Sequence, residues 1–123
     1  MTRRLLAFLV VMAASSPGHA ASPVLDGSYG SKEGCLYART GDSSGAEDFF
    51  LLTKEALTTA TAYCEVKSVG KTDGKSTAVT FSCQAEGEDS ATELAGKVIR
   101  SGKDAVSVTL DGGSSWGPYK RCR

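Results

Sequence analysis

Residues 64–83 read CEVKSVGKTDGKSTAVTFSC, and this stretch predicts a β-hairpin. Asp73-Gly74 is a favoured pair for a two-residue type I′ turn, because both turn positions need positive φ. That turn sets the cross-strand partners, which include Thr72–Lys75, Ser68–Val79, Val66–Phe81 and Cys64–Cys83. The register collects the apolar side chains and both cysteines on one face, and a one-residue slip would destroy the separation. A bulge near Gly70 is the alternative that would shift the pairing.

The rest of the chain has the pattern of short strands between turns. Threonine, serine and glycine are frequent, apolar residues tend to alternate, and turn-forming residues recur at short intervals. With the hairpin, the predicted strands are 35–39, 49–53, 57–69, 76–84, 92–100, 105–110 and 119–122. This spacing predicts an all-β domain, either a small antiparallel β-barrel or a meander, with an open sandwich as the alternative.

Four cysteines indicate two disulfides that close this domain. An even count in a small exported chain is typical of a disulfide framework. Beside Cys64–Cys83 the remaining pair is Cys35–Cys122, which joins the first predicted strand to the last and therefore suggests a closed barrel. A zinc site is the alternative, but structural zinc needs closely spaced ligand pairs, which this chain lacks. We therefore predict no metal and no cofactor.

The N-terminal segment predicts export. Arg3 and Arg4 precede a short apolar run that ends in small residues before Ala20, as in a secretory signal peptide. Residues 1–20 would be removed, leaving one domain, 21–123, in the periplasm or in the medium. No later stretch is apolar enough to span a membrane. Without Arg3 and Arg4 the 14 basic residues fall to 12 against 14 acidic ones, with no basic stripe for nucleic acid.

The residue inventory argues against catalysis. The one histidine, His19, lies in the predicted signal peptide, and the chain contains no asparagine. Triads of the Ser–His–Asp or Cys–His–Asn kind therefore cannot form in the exported domain. The acidic run 86–89 predicts a solvated turn, with a weak calcium site as the alternative. We therefore expect the protein not to be an enzyme.

Two segments are candidates for binding a partner. The loop 41–48 consists of small and acidic residues between two predicted strands, so it is either a plain linker or a protruding contact loop. Trp116 lies in the most glycine-rich segment, where its indole either plugs one end of the barrel or anchors a partner. Tyr37 is expected to be buried.

The loop residues Ser43, Ser44, Gly45, Ala46 and Glu47 carry a resemblance to a known family. With the signal peptide and the disulfide-tied β-barrel, they resemble the periplasmic lysozyme inhibitors of Gram-negative bacteria, some of which present a Ser-Gly-x-x-Ala-type loop to the lysozyme active site. Here the fragment comes earlier in the chain, and an acid stands where Lys-Tyr is typical. The resemblance implies that a lysozyme or an endogenous peptidoglycan hydrolase is the partner of this loop and of Trp116. The alternatives are a lipocalin-like carrier of a small ligand and a structural envelope protein.

We predict that the exported protein begins within about two residues of Ala21 and has no free thiol, because the signal-peptide pattern precedes four cysteines in an oxidising compartment. Intact-mass analysis of exported material, with alkylation before reduction, measures both. A mass that retains residues 1–20, or more than trace alkylation, would contradict the prediction.

Overall fold

The computed structural model describes residues 26–42 and 45–123. The predicted signal peptide, residues 1–20, and the loop residues Ser43 and Ser44 lie outside the described residues. The elements in chain order are β1 Tyr29–Gly30, α1 Lys32–Thr40, β2 Phe50–Leu52, β3 Ala56–Thr59, β4 Ala62–Asp73, β5 Ser76–Ala85, β6 Thr92–Ser101, β7 Ala105–Leu110 and β8 Ser115–Lys120.

The eight strands form one antiparallel sheet in which each strand pairs with its neighbour in sequence, from β1 to β8. The first and last strands meet through a bridge between Tyr29 and Arg121, so the meander is a nearly closed barrel. The predicted all-β class, the antiparallel barrel and both disulfides, Cys35–Cys122 and Cys64–Cys83, are confirmed.

The β4–β5 hairpin has the predicted pairing at its base and a different turn at its tip. Cys64 faces Cys83, but the turn consists of Gly74 and Lys75, one residue later than expected. Only Gly74 has positive φ, 61°, as in a type II′ turn. The predicted pairs Thr72–Lys75 and Ser68–Val79 are therefore wrong.

Two bulges on β4 restore the predicted register below the tip. One register shift lies between Val69 and Thr72, around Gly70, and the other between Val66 and Ser68. Each adds one unpaired residue to β4, which offsets the displaced turn before the cysteines are reached. The sequence-based pairing at Cys64 was therefore right even though its predicted turn was misplaced.

Residues 35–39, predicted as a strand, belong to helix α1. The side chain of Ser31 caps the helix by accepting a hydrogen bond of 3.1 Å from the Gly34 amide. Gly41 ends it with φ 75°, and its amide donates to the Tyr37 carbonyl at 2.8 Å. These caps satisfy backbone groups at both ends of the nine-residue helix. The alternation of apolar and polar residues, on which the strand prediction rested, does not detect such caps.

The predicted strand 57–69 is divided into β3 and β4 by a corner at residues 60–61. The Thr59 hydroxyl accepts a hydrogen bond of 3.1 Å from the Ala62 amide and so shapes this corner. At the other end of the chain, the predicted strand 119–122 begins earlier, at Ser115, and therefore includes Trp116.

The barrel interior is the hydrophobic core. Along β5 to β7, alternate residues point inward and are buried, as the period of two requires. The core consists of Tyr29, Phe50, Leu52, Leu57, Cys64, Val79, Phe81, Cys83, Val98, Val106, Val108 and Leu110. Helix α1 covers the outer face of β2, where Phe49 and Leu51 are also buried.

The seam between β1 and β8 is closed by several contacts around Arg121. Its guanidinium lies 3.1 Å from the Asp26 carboxylate, donates to the Tyr29 hydroxyl at 2.7 Å and stands over the Tyr29 ring at 4.9 Å. The Cys122 amide donates to the Ser28 carbonyl at 2.8 Å. The disulfide from Cys122 reaches Cys35 in α1, and not a first strand as predicted. Within the described residues, no helix is long and apolar enough to cross a membrane.

Candidate functional site

The up-and-down order of the strands places their connections alternately at two ends of the barrel. The connections 41–49, 60–61, 86–91 and 111–114 lie at one end, which we call the acidic end. The connections 53–55, 74–75 and 102–104 lie at the other, together with the terminal segments 26–28 and 121–123. We call this second group the basic end.

Charge is divided unequally between the two ends. The described residues of the four connections at the acidic end carry seven acidic side chains and no basic one: Asp42, Glu47, Asp48, Glu86, Glu88, Asp89 and Asp111. Arg39, in the last turn of α1, precedes the first of these connections. The basic end has five basic and three acidic side chains: Lys54, Lys75, Lys103, Arg121 and Arg123 against Asp26, Glu55 and Asp104. The whole chain has no net formal charge, so the fold itself creates this polarity.

The loop of the acidic end is held at both of its ends. It leaves α1 through the left-handed Gly41, and before β2 the Asp48 carboxylate accepts a hydrogen bond of 3.4 Å from the Tyr119 hydroxyl. The Tyr119 ring stacks on Phe50 with centroids 4.3 Å apart. Burial, followed by the charge of Asp48 and the hydrogen bond to it, raises the pKa of Tyr119 above its ordinary value. The phenol therefore stays a neutral donor at physiological pH.

Between these anchors, Gly45 and Ala46 lie against the outer wall of the barrel. They line a hollow of about 230 Å³ with Tyr37, Phe49 and Thr58. The side chain of Glu47, next in the chain, is exposed. Of the five residues that carry the predicted contact loop, three are therefore placed at the acidic end, and the other two are the serines outside the described part.

Trp116 lies on the inner side of the same end. Its half-buried indole packs against the core, with its ring centroid 6.4 Å from that of Phe50. It also lines a cavity of about 370 Å³ at the barrel mouth, together with Leu94, Leu110 and the Cys64–Cys83 bridge. Thr59 lines both this cavity and the outer hollow, so the loop and Trp116 flank one corner of the barrel.

Two exposed tyrosines adjoin this corner: sequence reasoning favoured burial over a contact role for Tyr37, and it did not consider Tyr63. Tyr37, expected to be buried, is 38% exposed because α1 turns it outward against the edge of Phe49. Tyr63 is 53% exposed and pairs across the strands with Thr58. Strand alternation could have found Tyr63, because Cys64 points inward and its neighbour must therefore point outward.

The acidic connection 86–91 is shaped by contacts with the end of β5. The Gln84 side-chain amide donates to the Glu88 carbonyl at 2.7 Å, and the Glu88 carboxylate accepts from the Ala85 amide at 3.5 Å. Across the described residues, no group of three or more histidines, cysteines, aspartates or glutamates is placed to hold a metal ion. The carboxylates of this connection are therefore presented to solvent as separate charges.

Comparisons with protein-family models, curated proteins and solved structures find no match to this chain. The fold and the surface together define a small disulfide-bonded β-barrel with a strongly acidic end. On that end, three aromatic side chains, Tyr37, Tyr63 and Trp116, surround the corner at Thr59.

Trp116→Ala should lower the free energy of unfolding by about 2–3 kcal/mol, less than for a fully buried tryptophan, because Trp116 is only partly buried. Tyr63→Ala is the control and should change stability by less than about 0.5 kcal/mol, since its ring lies on the surface. Urea unfolding followed by circular dichroism measures both. If Trp116→Ala is as mild as the control, the indole does not plug the barrel.

Proposed function

We propose that this protein is an exported, non-enzymatic binding protein of the periplasm that inhibits a lysozyme-type peptidoglycan hydrolase. The observation that carries the proposal is the acidic end, where seven carboxylates lie at the same end of the barrel as small loop residues and exposed aromatic rings. Such a surface suits a cationic protein partner better than a charged small substrate.

The charge distribution favours encounter with a basic enzyme. Complementary potentials raise association rates, and the effect falls as salt increases. A barrel with all of its described acidic-end charges of one sign would approach a cationic hydrolase with that end forward. Because lysozyme-type hydrolases are commonly cationic, the steering acts in the direction that inhibition requires.

The loop has the shape and the restraint that an inhibitor needs. Gly45 and Ala46 are small enough to enter a narrow active-site cleft, and Glu47 beside them can pair with a basic rim. The Gly41 cap and the Asp48–Tyr119 hydrogen bond limit the freedom that the loop loses on binding. Tyr37 and Tyr63 supply amphipathic rings of the kind that dominate binding energy at interfaces.

The proposed location follows from the disulfides and the N-terminal sequence. Both bridges require an oxidising compartment such as the periplasm or the extracellular medium. The signal-peptide pattern in residues 1–20 supplies a route to it. Peptidoglycan hydrolases act in this same compartment, so inhibitor and target would meet there.

A second candidate function is supported by the mouth cavity. Its volume of about 370 Å³ falls within the range of small-molecule sites, and Trp116, Leu94 and Leu110 give it apolar walls. A carrier of one small apolar ligand is therefore the alternative to an inhibitor. The two functions differ in whether a protein or a small molecule occupies the acidic end.

The purified domain 21–123 should inhibit lysis of peptidoglycan by a cationic muramidase, saturably and more strongly at low salt. Replacing residues 43–47 with glycines, while Asp48 is kept, should weaken inhibition at least about 10-fold, because loop contacts and the Glu47 charge are lost. Lysis rates measured as a function of the concentration of the domain give the inhibition constants of the wild type and the variants. Glu55→Gln, on the basic end, is the matched control and should change inhibition less than about twofold.

The lysis assay and a titration followed by tryptophan fluorescence together separate the two candidate functions. The chain has one tryptophan, so its fluorescence reports directly on the barrel mouth. If muramidases of every class tested lyse peptidoglycan at full rate while a small apolar ligand shifts Trp116 emission, the inhibitor proposal fails and the carrier function takes its place.

A further inference from the structure

A hollow lies at the basic end of the described structure, where the chain closes its seam. We call it the seam cleft. It has a volume of about 640 Å³ between the start of α1, the β6–β7 turn and the end of β8. Its charged and hydroxyl-bearing lining includes Lys32, Ser101, Asp104, Lys120, Arg121 and Arg123. It is separate from the proposed inhibitory surface, which lies at the opposite end of the barrel.

The charges of the seam cleft do not balance. Four basic side chains face one carboxylate, that of Asp104, which lies 3.8 Å from the Arg121 guanidinium. Arg121 also binds Asp26 at 3.1 Å. Within the described residues, no ion pair is formed by Lys32, Lys120 or Arg123. Asp26 and Asp104 are therefore both engaged by Arg121, and the other three cations of the lining have no ion-pair partner among the described residues.

Lys32 is placed where the fold itself disfavours a cation. It is the first residue of α1, and the N-terminus of a helix carries positive partial charge. Like charges on Lys120 and Arg121 line the same cleft. The folded state is therefore not stabilised by the charges of Lys32 and Lys120. A bound anion, in contrast, would be stabilised by these two charges and by that of Arg121.

We propose that the seam cleft binds an anion with at least two negative charges, carried by a phosphate group. Its volume is in the range of small-molecule sites. Arg121 offers a guanidinium held in place by Asp26 and Tyr29, while Lys32 and Lys120 are mobile point charges that can close on the ligand. The Ser101 hydroxyl adds a neutral donor to the lining. The phosphate can belong to a soluble compound or to a lipid headgroup.

Calorimetric titration of the domain 21–123 with inorganic pyrophosphate at low ionic strength tests the proposal. One saturable site is expected. Lys32→Gln and Lys120→Gln should each weaken binding about 5- to 10-fold, because each removes one charge-assisted contact. Lys75→Gln, an exposed lysine of the same end outside the cleft, is the matched control and should change the affinity less than about twofold.

Thermal unfolding without ligand provides the second readout. Lys32→Gln should leave the Tm unchanged or raise it by a few degrees, because it removes a cation from a helix N-terminus. Vesicles containing phosphatidic acid, whose phosphomonoester headgroup can carry two negative charges, are compared with vesicles of phosphatidylcholine to identify the source of the phosphate. Vesicle binding that is weakened by Lys32→Gln and not by Lys75→Gln supports a headgroup, and pyrophosphate binding with the same pattern supports a soluble ligand.

Three results would overturn the proposal. The first is absence of saturable binding both to pyrophosphate and to the anionic vesicles. The second is an equal loss for Lys75→Gln and Lys32→Gln, which would mean general attraction to the basic end. The third is a fall in Tm for Lys32→Gln without ligand, which would mean that this lysine stabilises the fold. None of these depends on whether the acidic end inhibits a hydrolase.

Discussion

Closure of the sheet at Arg121 is the constraint on which the rest of the molecule depends. Strand β1 has only two residues and cannot hold β8 through a long ladder, so the guanidinium contacts with Asp26 and Tyr29 extend the seam. The Cys35–Cys122 bridge fixes it across a sequence separation of 87 residues. A bridge of that span stabilises the fold largely by restricting the unfolded chain, by roughly 4–5 kcal/mol in the chain-entropy description.

Closure also creates the two ends and their opposite charge. In an open meander the connections would lie along two separated edges, whereas in a barrel they converge on two mouths. The acidic end brings together carboxylates from distant parts of the sequence, such as Asp48 and Asp111. At the basic end, Lys32 and Lys120 both line the seam cleft. Both proposed binding surfaces are therefore consequences of one topological feature.

The sequence was most informative where local chemistry and alternation agreed. The strand pattern around Cys64 and Cys83 predicted their pairing, because a one-residue slip in register would move the apolar side chains and both cysteines to the outer face. It was least informative where backbone detail decided: the bulge between Val66 and Ser68, the Gly74 turn and the capping of α1 by Ser31. The bulge near Gly70 was expected only as an alternative to the regular hairpin. Of the candidate site, the sequence alone identified the loop 41–48 and Trp116. Their convergence depends on strand register between distant segments, whereas alternation beside Cys64 could have shown that Tyr63 points outward.

Residue-resolved amide hydrogen exchange of the native domain measures closure of the seam. Exchange of a buried, hydrogen-bonded amide requires local or global opening, and core strands open least often. If the barrel is closed as described, the Cys122 amide, bonded to Ser28, and the Ser31 amide, bonded to Phe50, will exchange nearly as slowly as core amides such as that of Val98. Fast exchange at Cys122 alongside full protection at Val98 would instead mean an open meander whose two ends are not formed as described.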